Sequence, residues 1–232
     1  MRSVRGMGNR VTGLLLSCAI VLVMACLAAT PASAIPDLQI YIEGATYDPV
    51  SQTWITDSSS FDLQVIGAND VIEDVKLAAA LIPSDTDPDS GSVTFTPVDF
   101  PGSPQLASFT YGTPLLGDGS ALPGHGVYPA PYAVLPIGDF TPTYDVYNMP
   151  DLGGPALGQI KTIHVDVTGF DKVHFDAYNH VTSGDHARYI SNPFSHDGEG
   201  GGDGDTPEPG TLALLTLGLT GALAAVRRRR AD

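Results

Sequence analysis

Apolar and polar residues alternate with period two along several short stretches of this chain. Leu38-Gln39-Ile40-Tyr41-Ile42-Glu43 and Phe61-Asp62-Leu63-Gln64-Val65 each place every second side chain on one face, as a half-buried strand requires. Residues 75–82 form a short apolar run ended by Pro83, which predicts a buried strand, since the proline leaves too little length for a helix. Val93-Thr94-Phe95-Thr96 is short and β-branched. Further on, Ile163, Val165 and Val167 alternate with His164 and Asp166, and Val173 and Phe175 alternate with His174 and Asp176. No stretch between 35 and 196 carries a long helical period. The pattern predicts an all-β, antiparallel sandwich of jelly-roll-like type. Residues 97–158 are dense in Gly and Pro. Proline confines strands to edges and short pieces, so ordered loops joining short strands are expected there, at one end of the sandwich.

The two ends of the chain break the alternation. Arg2, Arg5 and Arg10 precede an apolar run over 11–29, followed by Pro31-Ala32-Ser33-Ala34. Small residues at Ala32 and Ala34 fit a signal-peptidase site, with cleavage leaving Ile35 first. A permanent membrane helix and lipidation at Cys26 are the alternatives. At the other end, Pro207-Glu208-Pro209-Gly210 leads into an uncharged apolar segment, 211–226, and then Arg227, Arg228, Arg229 and Arg230. A helix over those 16 residues spans about 24 Å, against a hydrocarbon core of about 30 Å. Arginine stems can snorkel across part of the difference, and the cluster holds its side in the cytoplasm. The acidic middle is then expected outside.

Pro-Glu-Pro, a short apolar segment and an arginine cluster, in that order, resemble the PEP-CTERM sorting signal. An ordinary tail anchor is the alternative. The resemblance implies processing by exosortase in a Gram-negative bacterium that makes exopolysaccharide. It implies a transient inner-membrane intermediate, then delivery to the envelope, cell surface or matrix. The expected organisation is a signal peptide (1–34), an ectodomain (35–196), a linker (197–206) and a sorting tail (207–232). The linker expectation rests on Asp197 to Thr206, a Gly/Asp run with no apolar residue to bury.

Charge narrows the partners. Residues 35–206 hold four basic and 24 acidic residues, a balance of −20. Such a domain repels nucleic acid and attracts cations, although solubility alone accounts for the excess. Both cysteines, Cys18 and Cys26, lie in the N-terminal apolar run. The mature domain therefore has no disulfide, thiolate metal site or cysteine nucleophile.

Four segments carry candidate chemistry. With Gly169-Phe170-Asp171 as a hairpin loop, Asp166 pairs with His174 and His164 with Asp176. Two histidines and two aspartates then share an outward face, either as cross-strand ion pairs or as a divalent metal site. Asp85, Asp87 and Asp89 precede Gly91 in an acidic turn. It reads as an exposed turn or as an imperfect Ca2+ loop, with the glycine one residue late and Thr96 where glutamate is needed. His125 stands between two glycines, either capping its loop or facing a ligand. Ser195, His196 and Asp197 are consecutive, so they cannot form a triad among themselves. No serine nucleophile elbow, zinc-hydrolase helix motif or phosphate loop is present.

The stretch from Leu38 to Tyr47, the Leu122-Pro123-Gly124-His125-Gly126 loop, Val173-His174-Phe175-Asp176 and Pro193-Phe194-Ser195-His196-Asp197 together resemble the choice-of-anchor exported proteins, nearest the N subtype. That resemblance implies a surface-sorted domain and supplies no catalytic residues. The expected function is a non-enzymatic surface or matrix component without a cofactor. A carbohydrate-binding module and a metal-dependent surface enzyme are the alternatives.

Overall fold

The period-two segments pair into two sheets whose apolar faces meet. The computed structural model describes residues 35–150, 152–193 and 196–201. Its regular elements are strands apart from one short 3-10 turn, Pro88–Ser90.

The first sheet runs β1 (Leu38–Ile42), β4 (Ser60–Ala68), β11 (Gly153–Thr168), β6 (Ser92–Pro97), β7 (Gln105–Leu106), with β10 (Tyr144–Asn148) on the early part of β11. The second runs β2 (Thr46–Asp48), β3 (Thr53–Thr56), β14 (Asp197–Gly201), β12 (Lys172–Ser183), β5 (Ile72–Ile82), β9 (Ala130–Phe140), β8 (Thr110–Gly112). β13 (His186–Ser191) pairs with the far end of β12. The sheets have six and eight strands, against eight in total for a simple jelly roll. Among the described strands, β14 and β3 run parallel and the other pairs antiparallel.

Alternation explains the core. Leu63 and Val65 of β4 and Ile163 and Val165 of β11 are fully buried, and Leu77, Leu81, Val173 and Phe175 meet them from the second sheet. At about 25 cal/mol per Å2 of apolar surface removed from water, this shared interior dominates the favourable side of folding. The expected short strands in 97–158 are present as β7, β8 and β10, and β9 is longer. β8 covers only residues 130–132 of β9. Pro136 sits beyond that cover, where a missing N–H breaks no ladder on the open side.

The expected hairpin between β11 and β12 is not formed. The two strands lie in different sheets, with no pairing between them. Gly169 turns at φ +75°, and Phe170 drops into the core beside Phe109, ring centroids 5.6 Å apart. A loop residue that buries an aromatic ring carries the chain across the sandwich instead of back along its own sheet.

The first half of the expected linker is also structured. Residues 197–201 form β14, inserted between β3 and β12. Its glycines are there for close approach. A Cβ on Gly200 would lie 2.1 Å from Cζ of Phe61, and one on Gly198 would lie 3.0 Å from Cγ2 of Ile40. Here the neighbours supply the apolar surface, so a strand needs none of its own.

Candidate metal centre

His174 and Asp176 belong to the outward set of β12, yet they are 2% and 3% exposed. A second layer covers them. The connection from β8 to β9, residues 113–129, folds back over the outer face of the second sheet, with a bridge between Leu115 and Ala121. Asp118 shapes its turn by accepting from the backbone N–H of Ser120 at 2.9 Å and from its hydroxyl at 2.6 Å. Leu122 is buried against Ala78 and Tyr178, with Leu116 and Tyr128 alongside. This apolar footing lowers His125 onto His174. From the other side, β14 brings Glu199 directly opposite His174 in register and turns Asp197 toward it.

One ligand atom from each of His125, His174, Asp176 and Asp197 lies within 4.8 Å of the others. The two Nε2 atoms are 2.9 Å apart. Oδ2 of Asp176 is 3.5 Å from each of them, and Oδ2 of Asp197 is 4.0 Å from Nε2 of His174. Surrounding groups aim these atoms. Nδ1 of His125 is 3.2 Å from the carbonyl of Pro123. Nδ1 of His174 faces Oε1 of Glu199 at 3.5 Å, an ion-pair contact too long and bent to be a hydrogen bond. The Tyr128 hydroxyl donates to Oδ2 of Asp176 at 2.9 Å. The Asn192 amide donates to Oδ1 of Asp197, leaving Oδ2 directed inward.

Three carboxylates in so dry a place are costly, and their protonation is displaced accordingly. Burial raises Asp197 to about 7, with the Asp176 charge adding to it. Burial also opposes ionisation of Asp176, but His174, His125 and Tyr128 outweigh it and hold this carboxyl low. For His174, burial disfavours the cation, yet Asp176 and Glu199 overcome it and lift the imidazole to about 10. His174 in turn lowers Glu199. Burial and Asp176 push the Tyr128 hydroxyl above its ordinary range, so it stays a donor.

The other expected site residues are elsewhere. His164 and Asp166 lie on the outer face of the first sheet, where Nδ1 of His164 contacts Oδ1 of Asp62 at 2.7 Å and Nε2 lies 3.1 Å from the Ser60 hydroxyl. The serine, histidine and aspartate are in line, but Ser60 donates to Asp166 at 2.8 Å. The face is open to solvent, with the His164 side chain 40% exposed. Asp85, Asp87 and Asp89 are exposed and are not part of the converging cluster. Asp87 caps its own turn by accepting from the N–H of Asp89 at 3.0 Å. Consecutive His196 and Asp197 diverge, His196 toward Oδ1 of Asn148 at 3.0 Å. Sequence reasoning missed Glu199, which lay inside the presumed linker. It also left His125 and Asp197 as isolated residues.

Ala32, Ala34, Pro207, Glu208, Pro209, the 211–226 segment and Arg227 to Arg230 lie outside the described residues. Among the described residues, no helix is long and apolar enough to cross a membrane. The sequence of the tail is decisive by itself. Residues 205–230 match the PEP-CTERM protein-sorting motif. A PEP-CTERM motif marks a protein that exosortase sorts to the cell surface through a membrane-anchored intermediate. No curated protein matches the chain. Among solved structures, AvmM, described as catalysing macrocyclization in alchivemycin A biosynthesis, is similar at 8% identity and TM-score 0.31, over 68% of this chain and 88% of its own. A family 123 glycoside hydrolase from Clostridium perfringens is similar at 9% identity and TM-score 0.22, over 73% of this chain and 27% of its own. Likeness this distant carries no functional argument.

Proposed function

We propose that the mature chain is a non-enzymatic component of the cell surface or exopolysaccharide matrix, of the choice-of-anchor type, with a structural or adhesive role. The observation that carries the reading is the sorting motif starting at residue 205, directly after a sandwich whose last described strand ends at Gly201. In this reading the signal peptide ends at Ala34 and the 211–226 segment holds the chain in the inner membrane until processing. The enclosure of the histidine–aspartate cluster supports a structural role, because catalytic metal sites keep a position open to substrate.

A shallow depression of about 320 Å3 supports glycan contact as the adhesive element. It is lined by Asp85, Asp87, Phe109, Tyr111 and Pro131, and Tyr111 is 67% exposed. An exposed ring beside hydrogen-bonding carboxylates is the combination that sugar faces and hydroxyls require. Tyr144 and Tyr147 of β10 are also half-exposed, so the strand keeps aromatic surface for such contacts.

The test is fractionation of cells expressing the native gene and a Glu208→Ala variant, followed by co-sedimentation of the surface-released protein with purified exopolysaccharide, with and without EDTA. The expected result is surface release of the native protein, retention of the variant in the inner membrane, and sedimentation with the glycan. Native protein confined to the inner membrane overturns the surface reading. Release without sedimentation removes glycan contact, and loss of sedimentation with EDTA that Ca2+ restores and Zn2+ does not assigns it to Ca2+ at the Asp85–Asp89 turn.

A further inference from the structure

The buried cluster contains a conflict that a proton or a metal ion must resolve. In neutral tautomers, Nδ1 of His125 donates to the Pro123 carbonyl, and Nδ1 of His174 carries its proton on the side of the Glu199 carboxylate, 3.5 Å away. Each Nε2 then carries a lone pair, and the two lone pairs face one another at 2.9 Å. Two carboxylate oxygens, from Asp176 and Asp197, point at the same place. In this neutral form four ligand atoms converge with only a shared proton or an ion able to stand between them, inside an enclosure in which the His174 side chain is 3% exposed.

The spacing suits an ion. Ligands at about 2.0–2.1 Å from a tetrahedral centre stand roughly 3.3 Å apart. The contacts from His174 Nε2 to His125, Asp176 and Asp197 are 2.9, 3.5 and 4.0 Å, which bracket that value. The outer partners fit as well. Metal-bound imidazoles usually direct the second ring nitrogen at a carbonyl or carboxylate, as Pro123 and Glu199 provide. His174 Nδ1 makes no hydrogen bond, and Oε1 of Glu199 stands 3.5 Å from it.

We propose that His125, His174, Asp176 and Asp197 bind one zinc-like divalent cation, which clamps the 113–129 loop and β14 onto β12. Two imidazoles with two carboxylates suit zinc among the common divalent ions, whereas calcium takes six to eight oxygens. The four protein ligands complete a closed site, so the ion is structural. The site does not depend on the sorting reading. Each ligand comes from a different stretch of chain or an alternate position on β12, so the ion joins segments far apart in sequence.

The full-length protein, recovered from membrane and surface fractions in chelator-free buffer, is assayed for metals by mass spectrometry. It is then stripped with EDTA and refilled separately with Zn2+, Mn2+ or Ca2+, with thermal unfolding as second readout. The expected result is about one zinc per chain, as in structural four-ligand sites. Stripping lowers Tm by roughly 5–10 °C, and zinc restores it where calcium does not. His125→Ala, on the covering loop and outside the sandwich core, loses the zinc, and Asp166→Asn on the opposite sheet keeps it. Should His125→Ala fail to fold, the isosteric Asp197→Asn gives the same reading. No zinc uptake in excess metal, undiminished uptake by either ligand variant, or preferential filling by calcium overturns the assignment.

Discussion

His164-Val165-Asp166 on β11 and His174-Phe175-Asp176 on β12 have nearly the same sequence and face outward from the same core. Their surroundings differ completely. The His164 side chain is 40% exposed on an open sheet face, and that of His174 is 3% exposed beneath a loop and beside a late strand. On the first sheet, solvent screens the charges, and Asp62 and Ser60 satisfy the imidazole. On the second, the same residue types acquire His125, Asp197 and Glu199 and lose the solvent. The chemistry of a His-x-Asp pair is therefore set by what covers it.

Breaking the pairs tests this most directly. Asp176→Ala should cost about 3–5 kcal/mol, because it strands the buried His174 imidazole and Tyr128 hydroxyl without their carboxylate partner. Asp166→Ala should cost no more than about 1 kcal/mol. Urea unfolding of both variants measures the contrast, and equal losses would break the comparison. A smaller effect is expected from Gly200→Ala. Its Cβ meets the Phe61 ring, so about 1–3 kcal/mol should be lost by overpacking. Gly154→Ala, with nothing within 4 Å of its Cβ, should stay within about 0.5 kcal/mol. If the two glycine variants unfold at the same urea concentration, β14 is not packed as described. Tyr128→Phe removes the hydroxyl donated to Asp176 and should cost about 1.5–3 kcal/mol. Hydrogen exchange should then show faster opening of the 113–129 loop, with the first sheet unaffected.

The smallest effect is a pH dependence. The hydrogen bond to Asp62 outweighs burial and raises His164 above its ordinary 6.5, with Asp166 adding to it. A raised folded value means that its stabilising contribution is complete below the unfolded value and fades as pH rises through the folded one. The difference in stability between the native protein and His164→Ala should thus be largest near pH 5.5 and shrink above neutrality. Because the group is solvent-screened, it stays within about 1 kcal/mol. A difference that grows with pH would reverse the assignment.

Much of the sandwich was legible as alternation. β1, β4, β6, β11 and β12 fall on segments whose apolar residues recur at every second position, and β5 falls on the short apolar run ended by Pro83. Alternation reports which face is buried and is silent on which sheet the strand joins. For that reason β11 and β12 read as a hairpin. The signal against it was Phe170, a large apolar residue in a loop otherwise suited to a turn. β14 was illegible for a different reason. Strand signals look for apolar side chains in the segment itself, and Asp-Gly-Glu-Gly-Gly has none. Its glycines are complementary to Phe61, Ile40 and Ile42, residues more than 130 positions away. The cluster inherits that difficulty. His125 and His174 are 49 residues apart, and Asp197 and Glu199 lie on the strand that sequence reading placed in a linker.

The position of β14 also sets a timetable. Among the described strands of the second sheet, β3 pairs with β2 and β14, and a lone two-stranded hairpin is marginal in water. If the chain crosses a membrane N-terminus first, β2 and β3 emerge before β5, β9 and β12, and β14 emerges after all of them. The seam between the two groups closes when residues 197–201 arrive, and the sorting motif begins at residue 205. Completion of the sheet and presentation of the processing signal therefore fall at nearly the same moment of export, so a chain halted even a few residues short is left with an open seam and no address.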